Sequence, residues 1–598
     1  MCQPRLTGPM NQLESVARQT CNYRRAGNEI DTMVTNIDHE EGNLGGVQQN
    51  LNVVATILTL ILCITIMFYW TSRKSIPSSL GCREVPIVRG GILGVKHVIG
   101  LLSNYQMYLQ QLNSQQKYGG ICCLNIFRSR LVVVTSPTWA KSVLTDYRLP
   151  LSTGDMMMYF LRKVFCEKGA MQLHGISETQ IHREVSALMG QKFTDHATTV
   201  IHAELENGLL DYLKEYTVCS STLAKSDYSS NCLVSKFDDG LATEVHLFPL
   251  IRELVGNIGS KTLMGRDFVT KNPGFLRDLW ELDSRVFQLL LGADTLPISR
   301  YRSAREPRDR VLRAVTEHHQ ALFNKLSSPN NVEQYGDLSD VSDIFKTRLK
   351  DWTSAGITIA SCASANTALL WAANVNSAPV AFWLVWYISQ HEDLLEGIRG
   401  EIRDYIRYEQ TENGNQLQFD VPALLNDCRL LNATYLETLR LEASTFSFKL
   451  AKEDCVITEA PVDLTFSSQR RSYAVKKGDF VCVHHGSHQT DERYFSNAQK
   501  FDPFRFLNGD KPTGSNRSEY GDMYVFSGGK GECKGRSFAR LEILLVACYL
   551  IHFWDIDPVT SDPDWDQLGR ISTSGAHIPQ KDVKVKMRKR VDGKKGGI

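Results

Sequence analysis

The amino-acid sequence predicts a mainly α-helical protein with small β-sheets, and three observations carry that prediction. Between residues 137 and 395 the apolar residues recur chiefly at helical spacing. Two shorter stretches, 121–135 and 464–483, follow strand-like patterns rich in β-branched residues. A glycine-rich loop around Cys533 runs directly into an apolar helical stretch, 535–554. With 598 residues the chain can bury a large core, and its formal net charge of +1 leaves no basic footprint for nucleic acid.

Taken from the N-terminus, residues 1–50 are polar and aperiodic and read as a disordered extension. Residues 51–70, LNVVATILTLILCITIMFYW, carry no charge and are long enough to cross a hydrocarbon core, which predicts a transmembrane helix. A buried core helix is the competing reading. Asp38, Glu40 and Glu41 precede the run, and Arg73, Lys74 and Arg83 follow it. That bias puts the remaining bulk, 71–598, in the cytosol as a catalytic domain. Pro77 and Pro86 mark a stiff connector. The 15 cysteines are scattered, without metal-finger spacing or a small disulfide framework, which suits a reducing compartment. Residues 121–135 read as a strand pair, and 473–481 as a hairpin turning at Lys477-Gly478. Near the C-terminus 583–587 alternates Val and Lys, so the basic cluster at 586–590 reads as a solvated strand face and tail.

The chemistry is concentrated in Phe526-Ser-Gly-Gly529-Lys-Gly-Glu-Cys533-Lys-Gly535-Arg-Ser-Phe-Ala539. A cysteine in a tight glycine-rich loop at a helix N-terminus has its thiolate stabilised by backbone N–H groups and the helix dipole. Such a thiolate can hold a haem iron and push electron density onto it, favouring O–O cleavage. An ordinary loop cysteine is the competing reading. The spacing of Phe526, Gly529, Cys533 and Gly535 resembles the haem-binding loop of cytochromes P450. Two motifs precede it in the matching order. Glu437-Thr-Leu-Arg440 places an acid and a base on one helix face. Phe501-Asp-Pro503-Phe-Arg505-Phe506 resembles the P450 segment whose arginine joins that pair. The resemblance implies a buried Glu–Arg–Arg clasp, structural rather than catalytic, in which each charge needs its partners.

Runs at 439–454 and 370–383, with Gly265-Arg266-Asp267 and Ser303-Ala-Arg-Glu306, are similar to the branch that holds sterol 7α-hydroxylase, sterol 12α-hydroxylase and prostacyclin synthase. The N-terminal extension and polar insertions near 219–237 fall outside the resemblance, and the chain reads as a fungal secondary-metabolism member. The resemblance implies the cytochrome P450 fold, tethered by one N-terminal transmembrane helix to the endoplasmic reticulum with its catalytic domain in the cytosol. It also implies haem b with Cys533 as the axial iron ligand, and NADPH-cytochrome P450 reductase docked on the proximal face.

Residues 360–389 match the helix that crosses the distal haem face. Most members carry there an acid–threonine pair that relays protons; here the pair is Asn376-Ser377. An amide is no acid, though it can hold a water, and Ser377 can donate through its hydroxyl. Pro379 disturbs the local ladder, and satisfying that kinked backbone is the competing role for both residues. The propionate-binding arginine of the family is Lys449, which pairs as a point charge rather than a fork. The basic residue two before the cysteine is Gly531. Arg183, in Thr179-Gln-Ile-His-Arg183, is the compensating donor, although the usual tryptophan of that segment is absent; a solvated arginine is its competing reading. Pocket walls would come from Ala372, Ala373, Thr445, Phe446 and Ser572-Thr573-Ser574, small or apolar residues suited to a bulky lipophilic substrate. The expected function is a membrane-bound haem-thiolate monooxygenase that hydroxylates or epoxidises a terpenoid, sterol or polyketide. An oxygen-independent isomerase or dehydratase of the prostacyclin synthase type is the alternative, since Asn376 occurs on both sides of that division. A haem-binding protein without turnover is a third reading. A cysteine hydrolase lacks any recognisable partner motif.

Overall fold

Short β-branched runs pair into sheets, and the longer apolar runs coil into helices around them. The computed structural model describes residues 82–590 apart from 115–117, 128, 167–177, 210–234, 237–241, 291, 296–298, 329–334, 412–413, 461–469, 508–519, 521–522, 560–567 and 574. The predicted extension 1–50, the predicted span 51–70, Pro77, most of the insertion at 219–237 and Ser574 lie outside the described residues.

The strands used below are, in chain order, β1 (Ile87–Val88), β2 (Ile121–Ile126), β3 (Ser129–Val134), β4 (Leu151–Ser152), β5 (Ala242–His246), β6 (Phe446–Ala451), β7 (Cys455–Thr458), β8 (Ser472–Val475), β9 (Phe480–His484), β10 (Trp554–Pro558), β11 (Arg570–Ile571), β12 (Ile578–Pro579) and β13 (Lys584–Lys589). β2 and β3 form the expected antiparallel pair. They belong to a six-stranded sheet ordered β1-β2-β3-β9-β6-β4. β9 lies parallel to β3, Val481 opposite Val132, and antiparallel to β6, Val481 opposite Lys449. Burial alternates along β6, with Ser447, Lys449 and Ala451 turned inward. Strand parity therefore places the Lys449 side chain in the interior.

The hairpin expected at Lys477-Gly478 is corrected by the structure. Gly478 does turn the chain, at φ 86°. However, β8 pairs with β7 and with Arg83–Glu84, while β9 enters the main sheet. Asp479 explains the parting: it is buried and accepts from Arg130 of β3 at 2.9 Å, tying the head of β9 to that strand. The C-terminal strand β13 lies between β10 and β5 with Val585 and Met587 fully buried. Arg590, expected in a solvated tail, is instead buried 3.6 Å from Asp555.

The helices that build the site are α1 (Val95–Ser114), α2 (Pro137–Thr145), α3 (Thr153–Val164), α4 (Glu178–Ser186), α5 (Leu247–Met264), α6 (Phe275–Leu290), α7 (Arg305–Ser327), α8 (Asp343–Ser354), α9 (Ile359–Val375), α10 (Ser377–Gln390), α11 (Arg429–Glu442) and α12 (Arg536–Phe553). α9 and α10 come from one apolar run that breaks at Asn376, φ −100° and ψ −35°. Pro379 has no N–H to give the carbonyl four residues back, which weakens the ladder at that point. This run is long and apolar enough to cross a membrane, alone in that among the described helices. It is nonetheless a core element, for Ala378, Phe382, Leu384 and Val385 are fully buried. α12 is also apolar around its circumference, and Leu544 to Leu550 are buried without a gap. Helices apolar on every side must be covered on every side. α12 packs against α10 and α5, and α10 against α11. Each large side chain so buried contributes about 1.5–3 kcal/mol.

The buried titratable groups give the fold a pH dependence. Burial holds His318 and His552 at about 4 and His484 at about 3, and also lowers His97, His202, His319 and His485. The unfolded chain protonates these groups below about 6.5 while the folded chain resists it, so each lowers stability as the pH falls from there toward its folded value. Burial raises Glu542 and Asp479, which act in the opposite sense between pH 4.5 and 6.5 but are outnumbered. The melting temperature of the purified protein is expected to fall from pH 6.5 to pH 5. A flat profile would mean the folded histidines already carry protons.

Candidate active site

The cysteine loop is closed by its own backbone. The N–H of Cys533 donates to the Phe526 carbonyl at 2.9 Å, and Ser527 N–H to the Tyr524 carbonyl at 2.7 Å. The bend is tight enough that Tyr524 and Ser527 adopt φ 53° and 64°. Gly529, at φ 63°, cannot be replaced without a clash: a Cβ there would lie 2.2 Å from the Leu144 carbonyl oxygen at the end of α2. Phe526 is half-buried and meets Tyr520 edge-on at 5.0 Å. Gly535 caps α12, and its N–H and that of Arg536 point at the Cys533 sulfur. Burial pushes the thiol's pKa up, and those two N–H groups pull it back. Protein atoms close around the sulfur, yet the residue keeps exposed surface. A cysteine that keeps exposed surface while two backbone N–H groups approach its sulfur suits a metal ligand better than a packed core cysteine does.

Lys449 supplies the second fixture. Burial lowers its ammonium to about 8, with Lys530 adding to the effect. Its Nζ donates to the Leu144 carbonyl at 3.4 Å, the same oxygen that crowds Gly529. No carboxylate pairs with it among the described residues. A buried cation so poorly partnered invites an anion. A thiol in the loop and an ammonium bound to the Leu144 carbonyl that borders the same loop at Gly529 fit an iron porphyrin, which offers iron to one and carboxylates to the other. Arg183 is exposed on α4 and makes no ion pair among the described residues. Its neighbour Glu184 is the engaged group, 3.3 Å from Arg348 and accepting from Trp352 Nε1 at 3.1 Å. The chain then reaches Met189, whose sulfur accepts from Arg536 at 3.4 Å. Helix α4 therefore approaches the base of the cysteine loop, but no contact links Arg183 itself to Lys449 or Cys533.

The Glu437–Arg440 pair is bidentate at 2.7 Å, with both side chains fully buried. Arg440 also donates to the carbonyls of Gln489 at 2.7 Å and Ala498 at 2.6 Å. Arg505 Nε lies 3.4 Å from Glu437, and the N–H of Asp502 donates to the same carboxylate at 2.9 Å. These contacts tie α11 to the segment leading into the cysteine loop, as a structural clasp would.

On the opposite side stand Asn376 and Ser377. Asn376 Oδ1 accepts from the Ala576 N–H at 3.3 Å. A Cβ on Gly575 would sit 1.7 Å from that oxygen, so the backbone at Gly575 lies directly against the helix break. Ser377 is buried, 3.4 Å from the Ala373 carbonyl, and its hydroxyl faces Glu542 of α12. Glu542 was not identified from sequence. It is fully buried, and neither carboxyl oxygen meets hydrogen-bond geometry. Burial raises its pKa well above the usual range, and Ser377 only partly offsets that. Burial thus favours the protonated form of Glu542 over its carboxylate. The signal was present as the one carboxylate in the otherwise apolar stretch 536–553.

Of the expected pocket walls, Ala372 is exposed, while Ala373, Thr445, Phe446, Ser572 and Thr573 are half-buried. Phe446 stacks on Phe448 at 5.6 Å and meets Tyr105 at 4.8 Å, and Tyr105 donates to the Thr573 carbonyl. Phe160 and Trp371 add a second aromatic pair at 5.6 Å. A separate cleft of about 340 Å³, lined by Leu425, Arg429, Asn432, Phe506 and Arg540, contains none of these residues.

Residues 92–587 match the family described as Cytochrome P450. The rat protein named 25-hydroxycholesterol 7-alpha-hydroxylase is 30% identical over 202 residues, 33% of this chain and 46% of its own length. Cytochrome P450 monooxygenase efuG of Hormonema carpetanum is 26% identical over 406 residues, 60% of this chain and 67% of its own. The chain thus spans about half to two thirds of these relatives. A retinoic acid-bound cyanobacterial P450 structure superposes with a TM-score of 0.60 at 16% identity, covering 85% of this chain and all of that one. The motif order, the buried clasp and the match across most of the chain agree: this chain belongs to the cytochrome P450 family.

Proposed function

We propose that this protein is a haem-thiolate monooxygenase that hydroxylates or epoxidises a bulky lipophilic molecule such as a terpenoid, sterol or polyketide in secondary-metabolite biosynthesis. Electrons would come from NADPH-cytochrome P450 reductase at the endoplasmic reticulum membrane. The observation that carries the oxygenase reading is the fully buried Glu542 facing the Ser377 hydroxyl, its proton held more firmly than usual by burial. A rearrangement needs no proton supply, whereas oxygen reduction consumes protons. The names of the rat and Hormonema proteins support the substrate class and the reaction type.

When bound, the haem supplies oxygen activation on a thiolate-held iron. Cys533 would be that ligand, with the Gly535 and Arg536 N–H groups sharing its negative charge. Lys449 would neutralise a propionate, with Arg183 as a second donor. Glu542 gives its proton to the Ser377 oxygen as Ser377 releases its own hydroxyl proton toward the distal space. The Asn376 amide, its oxygen held by Ala576, keeps two N–H donors to orient a water there. The aromatic walls exclude other water.

Three outcomes test this reading. Cys533→Ser should abolish the thiolate signature in the carbon monoxide difference spectrum, and retention of that signature would remove Cys533 from the metal. Glu542→Gln keeps the shape but not the acidity; with reductase present, product formation should drop about 10²-fold while NADPH use continues and hydrogen peroxide accumulates. Unchanged coupling would exclude the Glu542–Ser377 route. Exact-mass comparison of a deletion strain with its parent should show a precursor lighter than the lost product by one oxygen. Equal masses would overturn the monooxygenase reading and favour rearrangement.

A further inference from the structure

Glu442 ends α11, two residues beyond the clasp arginine, and serves a second ion cluster. Its side chain is fully buried. Arg570 grips it in a fork, Nη2 at 2.7 Å and Nε at 2.9 Å. Tyr387 of α10 donates to the same carboxylate at 2.6 Å, and His577 Nδ1 lies 3.2 Å away. Burial pushes the carboxyl up, but Arg570 and His577 outweigh it and hold it at about 2.

Arg570 stands at the foot of the hairpin β11–β12, opposite Pro579, and His577 at its turn end, just before β12. The backbone fastens it further. His577 N–H donates to the Glu442 carbonyl at 2.9 Å, and Ala443 bridges Ala576. Trp383 Nε1 donates to the His577 carbonyl at 2.8 Å. Gln106 of α1 lies 2.5 Å from both Ser572 Oγ and His577 Nε2. The tip so anchored meets Asn376 through Ala576 and Gly575, and Tyr105 ties Thr573 to the aromatic wall. No slack remains between the hairpin tip and the break in the distal helix.

A buried ion pair is a weak stabiliser, because desolvation cancels most of its attraction; its better-attested use is to fix register. We propose that Glu442 is a positioning residue: by clamping Arg570 and His577 it sets how far Gly575 and Ala576 reach over Asn376, and so which part of a bulky lipophilic substrate faces the reacting centre. This rests on the monooxygenase reading above.

The test uses purified holoenzyme and two azole probes, imidazole and phenylimidazole, followed by the haem absorbance shift. In Glu442→Gln, phenylimidazole affinity should change by about tenfold, the scale of one misplaced apolar contact, while imidazole stays within about twofold. Glu442→Asp, which keeps the charge, should recover part of the difference, and amide exchange over 570–579 should rise in the Gln variant. If Glu442→Gln fails to take up haem, Arg570→Lys, which loses the fork but keeps the charge, carries the same expectation. A lowered melting temperature with both azole affinities unchanged, or shifted equally, would overturn the proposal and leave a purely structural cluster. A wild-type protein with no thiolate-haem spectrum would overturn the underlying reading as well; the two failures are therefore distinguishable.

Discussion

Everything at the site hangs on the contact between α10 and α12. Both helices are apolar around their circumference, so neither can lie at the surface, and each finds part of its cover in the other. α12 carries the cysteine loop at its N-terminus and Glu542 nine residues after Cys533. α10 begins at Ser377, next to Asn376. Packing one helix on the other therefore brings the sulfur, a buried acid, a hydroxyl and an amide into one small region with no need for direct bonds among them all. The Glu437–Arg440–Arg505 clasp does the remaining work by fixing the segment that leads back to the loop.

The buried charges divide into two kinds. Glu437, Arg440 and Glu442 have every partner they need, and removing one would strand the others at a cost of about 3–5 kcal/mol. Lys449 and Glu542 differ. One is a cation with a single long bond to a carbonyl, the other an acid with no bond of proper geometry. Buried charges so poorly partnered cost stability, which points to a use other than holding the fold. They mark the edges of the region where chemistry enters, one on the sheet side of the cysteine loop and one beneath the distal helix.

The cysteine loop and the clasp were legible in the sequence because their meaning lies in spacing within a few residues. Gly529 shows why: its φ and the approach of Leu144 allow no side chain, so the glycine is visible as a constraint. The strand pair at 121–135 was legible for the same reason. The turn at Gly478 was visible too, but not that β8 and β9 part to different sheets, since that depends on Asp479 meeting Arg130 far away in the chain. Glu442 and Glu542 escaped because a single acid in a helix looks alike whether it meets water or Arg570. Arg183 stands exposed on α4 while its neighbour Glu184 makes the contacts, so its role as a second donor rests on motif position and not on packing.

Asn376 shows how these strands of the fold converge. At a helix break a threonine would offer one hydroxyl on a short, β-branched side chain. An asparagine offers an acceptor and two donors on a longer one. Here the oxygen is engaged by the Ala576 N–H, which leaves both N–H donors for the distal space. The residue that would orient water during proton delivery is thus the residue that holds the hairpin tip. A change in the clamp at Glu442 has a short path to the reacting centre through that amide, because Gly575 lies against Asn376, alongside the path through Thr573 and Tyr105. Substrate placement and proton delivery are in this way coupled through a single side chain.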